Sequence, residues 1–288
     1  MRPRVRTWRS VALATTGVLA IAACGSSGST APSAEDALVA SDGEAATAAS
    51  AQSTNIGSIV FQNISSVDPD TAATELATAT QLWPAGCVTR VKDPTNKDVV
   101  DVTFDDCTGP FGLVHLNGEV VVTFSAGSDG SLTATHTGVN LSANGHPITF
   151  SATADITVSG STRNVTWQGA WDRVDEAGDT IAHTSSLSIV VDTSTQCRTT
   201  SGTAVTSVDS RVVDSTITGY ETCLNTSGVT EGEEGCPSGT IVHTHKATGD
   251  SVTVDFDGSA TADITGPKGV TFTEPLVCPA ANNPAQSM

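Results

Sequence analysis

The chain has 288 residues, with 31 acidic residues against 13 basic ones and a formal charge of −18. Such a surface repels phosphate backbones and anionic lipid headgroups, which excludes nucleic acid as a partner and excludes an electrostatic membrane contact. One tyrosine and seven phenylalanines leave threonine, valine and alanine to build any strands.

Arg2, Arg4, Arg6 and Arg9 precede an apolar stretch from Val11 to Ala23 that is too short to cross a bilayer as a helix. That order of charge and apolar core is a secretory signal. The stretch ends Ile21-Ala22-Ala23-Cys24-Gly25, and here the chain resembles bacterial lipoproteins, whose lipobox Ile21-Ala22-Ala23-Cys24 matches. The resemblance implies cleavage before Cys24, a diacylglycerol on its thiol and an acylated new amino terminus. It also implies that Gly25, not being aspartate, favours the outer membrane if the cell is Gram-negative. Loss of residues 1–23 removes four of the 13 basic residues and no acid, leaving nine against 31 and a charge of −22.

Residues 24–55 then read as the lipidated cysteine and a flexible tether of Ser, Gly, Ala, Thr and acid, without sustained apolar periodicity. Alanine propensity allows a short helix from Ala34 to Ala49 with no obvious partner face. The folded domain is expected over 56–278, with a tail at 279–288. Ile56 to Ile64 suggests a first strand. Asp68-Pro69-Asp70 supplies an N-cap, a first-turn proline and an acid at the positive dipole end, so a helix is expected near 69–82. Its stripe is Ala72, Ala73, Leu76, Ala79 and Leu82, and it should stop before Trp83-Pro84.

From Leu113 to Val191 apolar residues fall on every second position, as in Ile148, Phe150, Ala152, Ala154 and Ile156. Turns such as Gly127-Ser128-Asp129-Gly130, Asn144-Gly145 and Ser159-Gly160-Ser161 cut the run. Strands joined so tightly must pair antiparallel. The alternation resumes at Val252, Val254 and Phe256, then at Ala260, Ala262 and Ile264. The heptapeptide Ser151 to Thr157 recurs unchanged as Ser259 to Thr265, which fits either duplication or convergence. The expected fold is mainly β: ten to fourteen antiparallel strands in meander order, forming a curved sheet, open barrel or sandwich, with one short N-terminal helix.

Six cysteines follow Cys24, and an even number in an exported domain reads as disulfides. Spacing suggests Cys87 with Cys107, Cys197 with Cys223 and Cys236 with Cys278. Zinc is the rival reading, but no Cys-x-x-Cys is present. Their surroundings, Gly86-Cys87-Val88, Asp106-Cys107-Thr108-Gly109 and Cys236-Pro237-Ser238-Gly239 among threonine-rich strands, look like uncharacterised Gram-negative β-rich lipoproteins, a resemblance that implies no activity.

Candidate sites are few. His243 and His245 share a strand face and are weak candidates for a metal, two solvent-facing histidines being the blander reading. Trp167 and Trp171 flank Gly169 on one face and are weak ligand candidates, a stacking platform in one reading and core in the other. The acidic loops Asp172, Asp175, Glu176, Asp179 and Glu231, Glu233, Glu234 lack calcium-loop spacing. No nucleophile elbow, phosphate loop or dinucleotide fingerprint is present. The sequence therefore leans away from an enzyme. It points to an exported, lipid-anchored envelope lipoprotein with a structural or binding role, without a cofactor, whose partner is the membrane through its lipid and an envelope protein or apolar ligand. A carrier of an apolar ligand is the alternative, and a hydrolase on envelope polymers a third.

Overall fold

A computed structural model of the chain describes residues 46, 60–61, 64–79, 87–108, 115–174, 178, 180–223 and 235–276. The expected signal, Cys24, most of the tether, Cys278 with its tail, and the acidic positions Asp175, Glu176, Asp179, Glu231, Glu233 and Glu234 lie outside them.

Thirteen strands run in the order of the sequence: β1 (Val88–Lys92), β2 (Val99–Thr108), β3 (His115–Ala126), β4 (Leu132–Ala143), β5 (His146–Ser159), β6 (Thr162–Val174), β7 (Thr180–Asp192), β8 (Cys197–Val208), β9 (Arg211–Cys223), β10 (Ser238–His245), β11 (Ser251–Asp257), β12 (Thr261–Thr265) and β13 (Thr271–Pro275). Each pairs antiparallel with its sequence neighbours, giving one open 13-stranded meander. This is the mainly β meander that alternation and turn chemistry predict. The period of two puts one face of the sheet in the core and the other in water. In β5, Ile148, Phe150, Ala152, Ala154 and Ile156 are buried and the residues between them exposed.

Three glycines re-aim the sheet. Gly118, Gly202 and Gly239 have φ of 114°, 144° and 111° and sit where the register slips by a bulge. A Cβ on Gly202 would lie 2.3 Å from the Ser186 carbonyl oxygen and 2.8 Å from Leu187 Cα. Only glycine allows strands to approach so closely there, and each bulge adds local twist and bend.

Helix α1 (Pro69–Thr78) starts as expected: the Asp68 side chain accepts from the Thr71 backbone N–H at 2.9 Å and Pro69 opens the first turn. It ends at Thr78, short of Leu82, which lies outside the described residues. Strand β1 holds both ends of the helix. Lys92 Nζ meets Asp70 Oδ1 at 2.5 Å, and Arg90 Nη1 donates to the Ala79 carbonyl at 2.7 Å and the Leu76 carbonyl at 3.3 Å. Those terminal carbonyls thus find a donor in Arg90 rather than in a further helical turn. Ala72, Ala73 and Leu76 are buried.

One reading of the N-terminal part is corrected. Val60 and Phe61 are helical, so Ile56 to Ile64 is not a strand there. Its apolar residues serve instead to fill the inner face of the sheet, Val60, Phe61 and Ile64 being all but fully buried in the core cluster. Ala46, in the Ala34 to Ala49 segment, is helical and fully buried. The remainder of both segments, apart from Ile64, lies outside the described residues.

Two disulfides lie wholly among the described residues. Cys87–Cys107 ties the residue before β1 to β2 with Cα atoms 5.3 Å apart, and Cys197–Cys223 joins directly opposed residues of β8 and β9 with Cα atoms 4.0 Å apart. Cys236 is also disulfide-bonded, to a partner outside the described residues.

Candidate functional site

Trp167 is fully buried and Trp171 is 4 % exposed, both on the inner face of β6. Trp167 meets the ring of Phe61 edge-on at 5.7 Å and that of His136 at 5.2 Å, and its Nε1 donates to Ser185 Oγ at 3.3 Å. Trp171 stacks on His183 at 5.6 Å with planes 26° apart. Both indoles are structural, and neither face is offered to a ligand.

His243 and His245 do not face solvent as expected. They are 1 % and 9 % exposed, on the inner face with Ile241. Alternation places them on one face; Ile241, two residues earlier, marks that face as the inner one. Ser215 Oγ lies 2.8 Å from His243 Nδ1, and Thr206 Oγ1 lies 3.0 Å from His183 Nδ1. These hydroxyls fix the rings where a metal would need carboxylates, cysteines or further imidazoles. Burial pushes the basicity of His136, His183 and His243 down to about 4, so all three are neutral at pH 7. The sequence reading did not single out His136 or His183, although each sits on the inward phase of its strand.

Cys197, Cys223 and Glu221 form the one group of metal-type donors among the described residues, with ligand atoms within 4.8 Å of one another. The two sulfurs are bonded to each other, and Glu221 accepts from Thr199 Oγ1 at 2.7 Å. The group is therefore a cross-strand brace. The His115–Asp106 pair, 2.9 Å apart, is an exposed contact between β3 and β2.

The solvent face carries a different feature. A trough of about 580 Å³ crosses β4 to β8. Thr135, Thr153, Gln168, Ser186 and Thr203 stand in cross-strand register along one wall. Thr137, Ser151, Ala170, Thr184 and Val205 form the other, in register likewise. Five strands at the usual spacing make it about 20 Å long. Directly beneath its floor, on the inner face, lie Ala152, Gly169, Ser185 and Ala204, paired across the strands. The same row ends on β4 in the full-sized ring of His136, so small side chains underlie the trough from β5 to β8. Its outward side chains carry hydroxyls, methyls and one carboxamide, with no charge and no ring. They can donate and accept hydrogen bonds along an extended partner, but they supply no base, nucleophile or metal set.

Elsewhere this face is knitted by threonine-to-acid bonds between adjacent strands. Thr133 bonds Asp155, Thr240 bonds Asp255 and Thr273 bonds Asp263, each at 2.7 Å. In the sequence these aspartates read only as surface charge. Compared with known proteins, the chain matches no family model, no curated protein and no solved structure.

Proposed function

We propose that this chain is an exported envelope lipoprotein, anchored through lipid on Cys24, whose β domain acts as a non-catalytic structural or binding module. The N-terminal charge, apolar core and lipobox support the anchor, and the disulfides fit an oxidising compartment. The observation that carries the choice between module and carrier is the inner face. Val60, Phe61, Ile64 and the α1 residues Ala72, Ala73 and Leu76 pack into the same core cluster as the inward residues of the sheet. An acyl chain would have to displace them. Binding of an extended partner is then a matter for the solvent face, where the hydroxyl-lined trough suits an uncharged polar chain. In a Gram-negative cell Gly25 directs the protein to the outer membrane.

The anchor is tested by growing cells with radiolabelled palmitate. Label should enter the wild-type chain and be absent from Cys24→Ala, while the variant still forms its disulfides; label retained in the variant overturns the proposal. Native mass spectrometry of the Cys24→Ala protein separates module from carrier, since an acyl lipid bound in stoichiometric amount would favour the carrier.

A further inference from the structure

Arg198, on the inward phase of β8, is 8 % exposed. Its Nε is fully shielded and has no hydrogen-bond partner, and no salt bridge among the described residues includes it. The other arginine buried on the inner face is treated differently: Arg163 donates from Nε to the Ile64 carbonyl at 2.5 Å and from Nη1 to the Gly160 carbonyl at 2.7 Å. Shielding a guanidinium from water without acceptors costs several kcal/mol, so an unanswered one is a site looking for its anion. Nε is wholly enclosed, and the residue as a whole keeps 8 % of its surface open to solvent.

The surroundings fit the same ligand. Arg198 lies between Val191 of β7 and Thr222 of β9. Two residues along, Thr200 is 1 % exposed with an unbonded hydroxyl and stands opposite Tyr220. The Tyr220 ring is set edge-on to Phe256 at 5.3 Å. Burial pushes the phenol up to about 12 even beside Arg198, so Tyr220 is a neutral hydroxyl at pH 7 and not the missing counter-charge. The Cys197–Cys223 disulfide lies next to the Arg198–Thr222 pair, which holds the backbone beneath the guanidinium fixed and lowers the ordering cost of binding.

We propose that Arg198, with the hydroxyls of Thr200 and Tyr220, is a binding site for a small oxyanion, the carboxylate or phosphate group of a ligand. The planar fork suits two oxygens of one such group, and the hydroxyls can donate to it as well. The molecule is strongly acidic, so its overall field works against anions, and a bound one reports a specific site.

The test is thermal unfolding of the wild-type chain at pH 7 and constant ionic strength, titrated with inorganic phosphate and separately with sodium hexanoate. At least one should raise the midpoint saturably, by about 4 °C or more once well above its dissociation constant. Phosphate alone acting identifies a free oxyanion or phosphoryl group; hexanoate alone identifies an acyl carboxylate. Arg198→Met should start at or above the wild-type midpoint, because an apolar side chain of similar length removes the buried charge, and should show no saturable rise. A wild-type midpoint unmoved by both probes overturns the site, as does an equal rise in Arg198→Met, which would be general salt stabilisation. Should Arg198→Met not fold, the Nε–H resonance of Arg198 decides the matter, assigned by its loss in Arg198→Lys. Its movement on adding either probe supports the site, and a fixed resonance overturns it.

Discussion

At the scale of single residues, the inner face sets the energetic stakes. Trp167 is fully enclosed by Phe61, His136 and the hydroxyl of Ser185. Trp167→Ala should therefore destabilise by about 3 to 5 kcal/mol, read from urea unfolding, because the cavity would be larger than neighbouring side chains can fill. A loss under about 1 kcal/mol would mean that the ring is not core. Parity along a strand made Trp167 with Trp171, and His243 with His245, legible as pairs sharing a face. Which face is a separate question, and it is answered by the other residues in phase: Val165 beside the tryptophans and Ile241 beside the histidines. Arg198 was overlooked although parity with Ala204, Thr206 and Val208 puts it on the inward phase, since an arginine among threonines reads as surface; the bulge opposite Gly202 shifts the phase of β9 instead and brings Tyr220 opposite Thr200.

At the scale of elements, strands and turns were legible because alternation and Asn-Gly or Gly-Ser signals repeat at short intervals, whereas the bulges were not. A glycine inside a strand pattern signals either weakness or a bulge, and nothing local shows that the neighbouring backbone will lie against it. Gly202→Ala should cost about 2 kcal/mol or more, since it combines a disfavoured φ with a clash against backbone that cannot rotate away. Gly160→Ala, with φ 59° and nothing within 4 Å, should cost about 1 to 2 kcal/mol from the left-handed conformation alone. Equal losses in parallel thermal melts would remove the steric account. The repeated heptapeptide is instructive here. Its first copy lies wholly in β5, but its second begins in the bend before β12. What the copies share is the inward phase of Ala154 with Ala262 and of Ile156 with Ile264, so seven identical residues specify a face and not a whole strand. The segment 56–64 failed as a strand for a related reason, because a short apolar run fits any buried element and tertiary packing decides which.

At the scale of the whole molecule, three neutral histidines on the inner face couple folding to acidity. Each has a folded-state value near 4 against an ordinary value near 6.5. The unfolded chain therefore binds protons that the folded chain refuses between those two pH values. Stability is full above about pH 6.5 and falls as the pH drops toward 4, by roughly 3 kcal/mol per histidine at the limit. Together they rival the whole stability of a typical domain, so tryptophan fluorescence should report cooperative unfolding between about pH 6 and 4. His183→Gln should reduce proton uptake on unfolding at pH 5 by about one; an unchanged slope of stability against pH would discount that residue. The linear strand order has a separate effect on how this molecule is made. Every strand pairs only with those immediately before and after it, so contacts are local in sequence and loop closure is cheap at each step. A chain emerging N-terminus first from a ribosome or an export channel can thus zip up hairpin by hairpin, each new strand meeting a partner already in place. No strand has to wait for one near the C-terminus, and the growing edge moves along with the emerging chain.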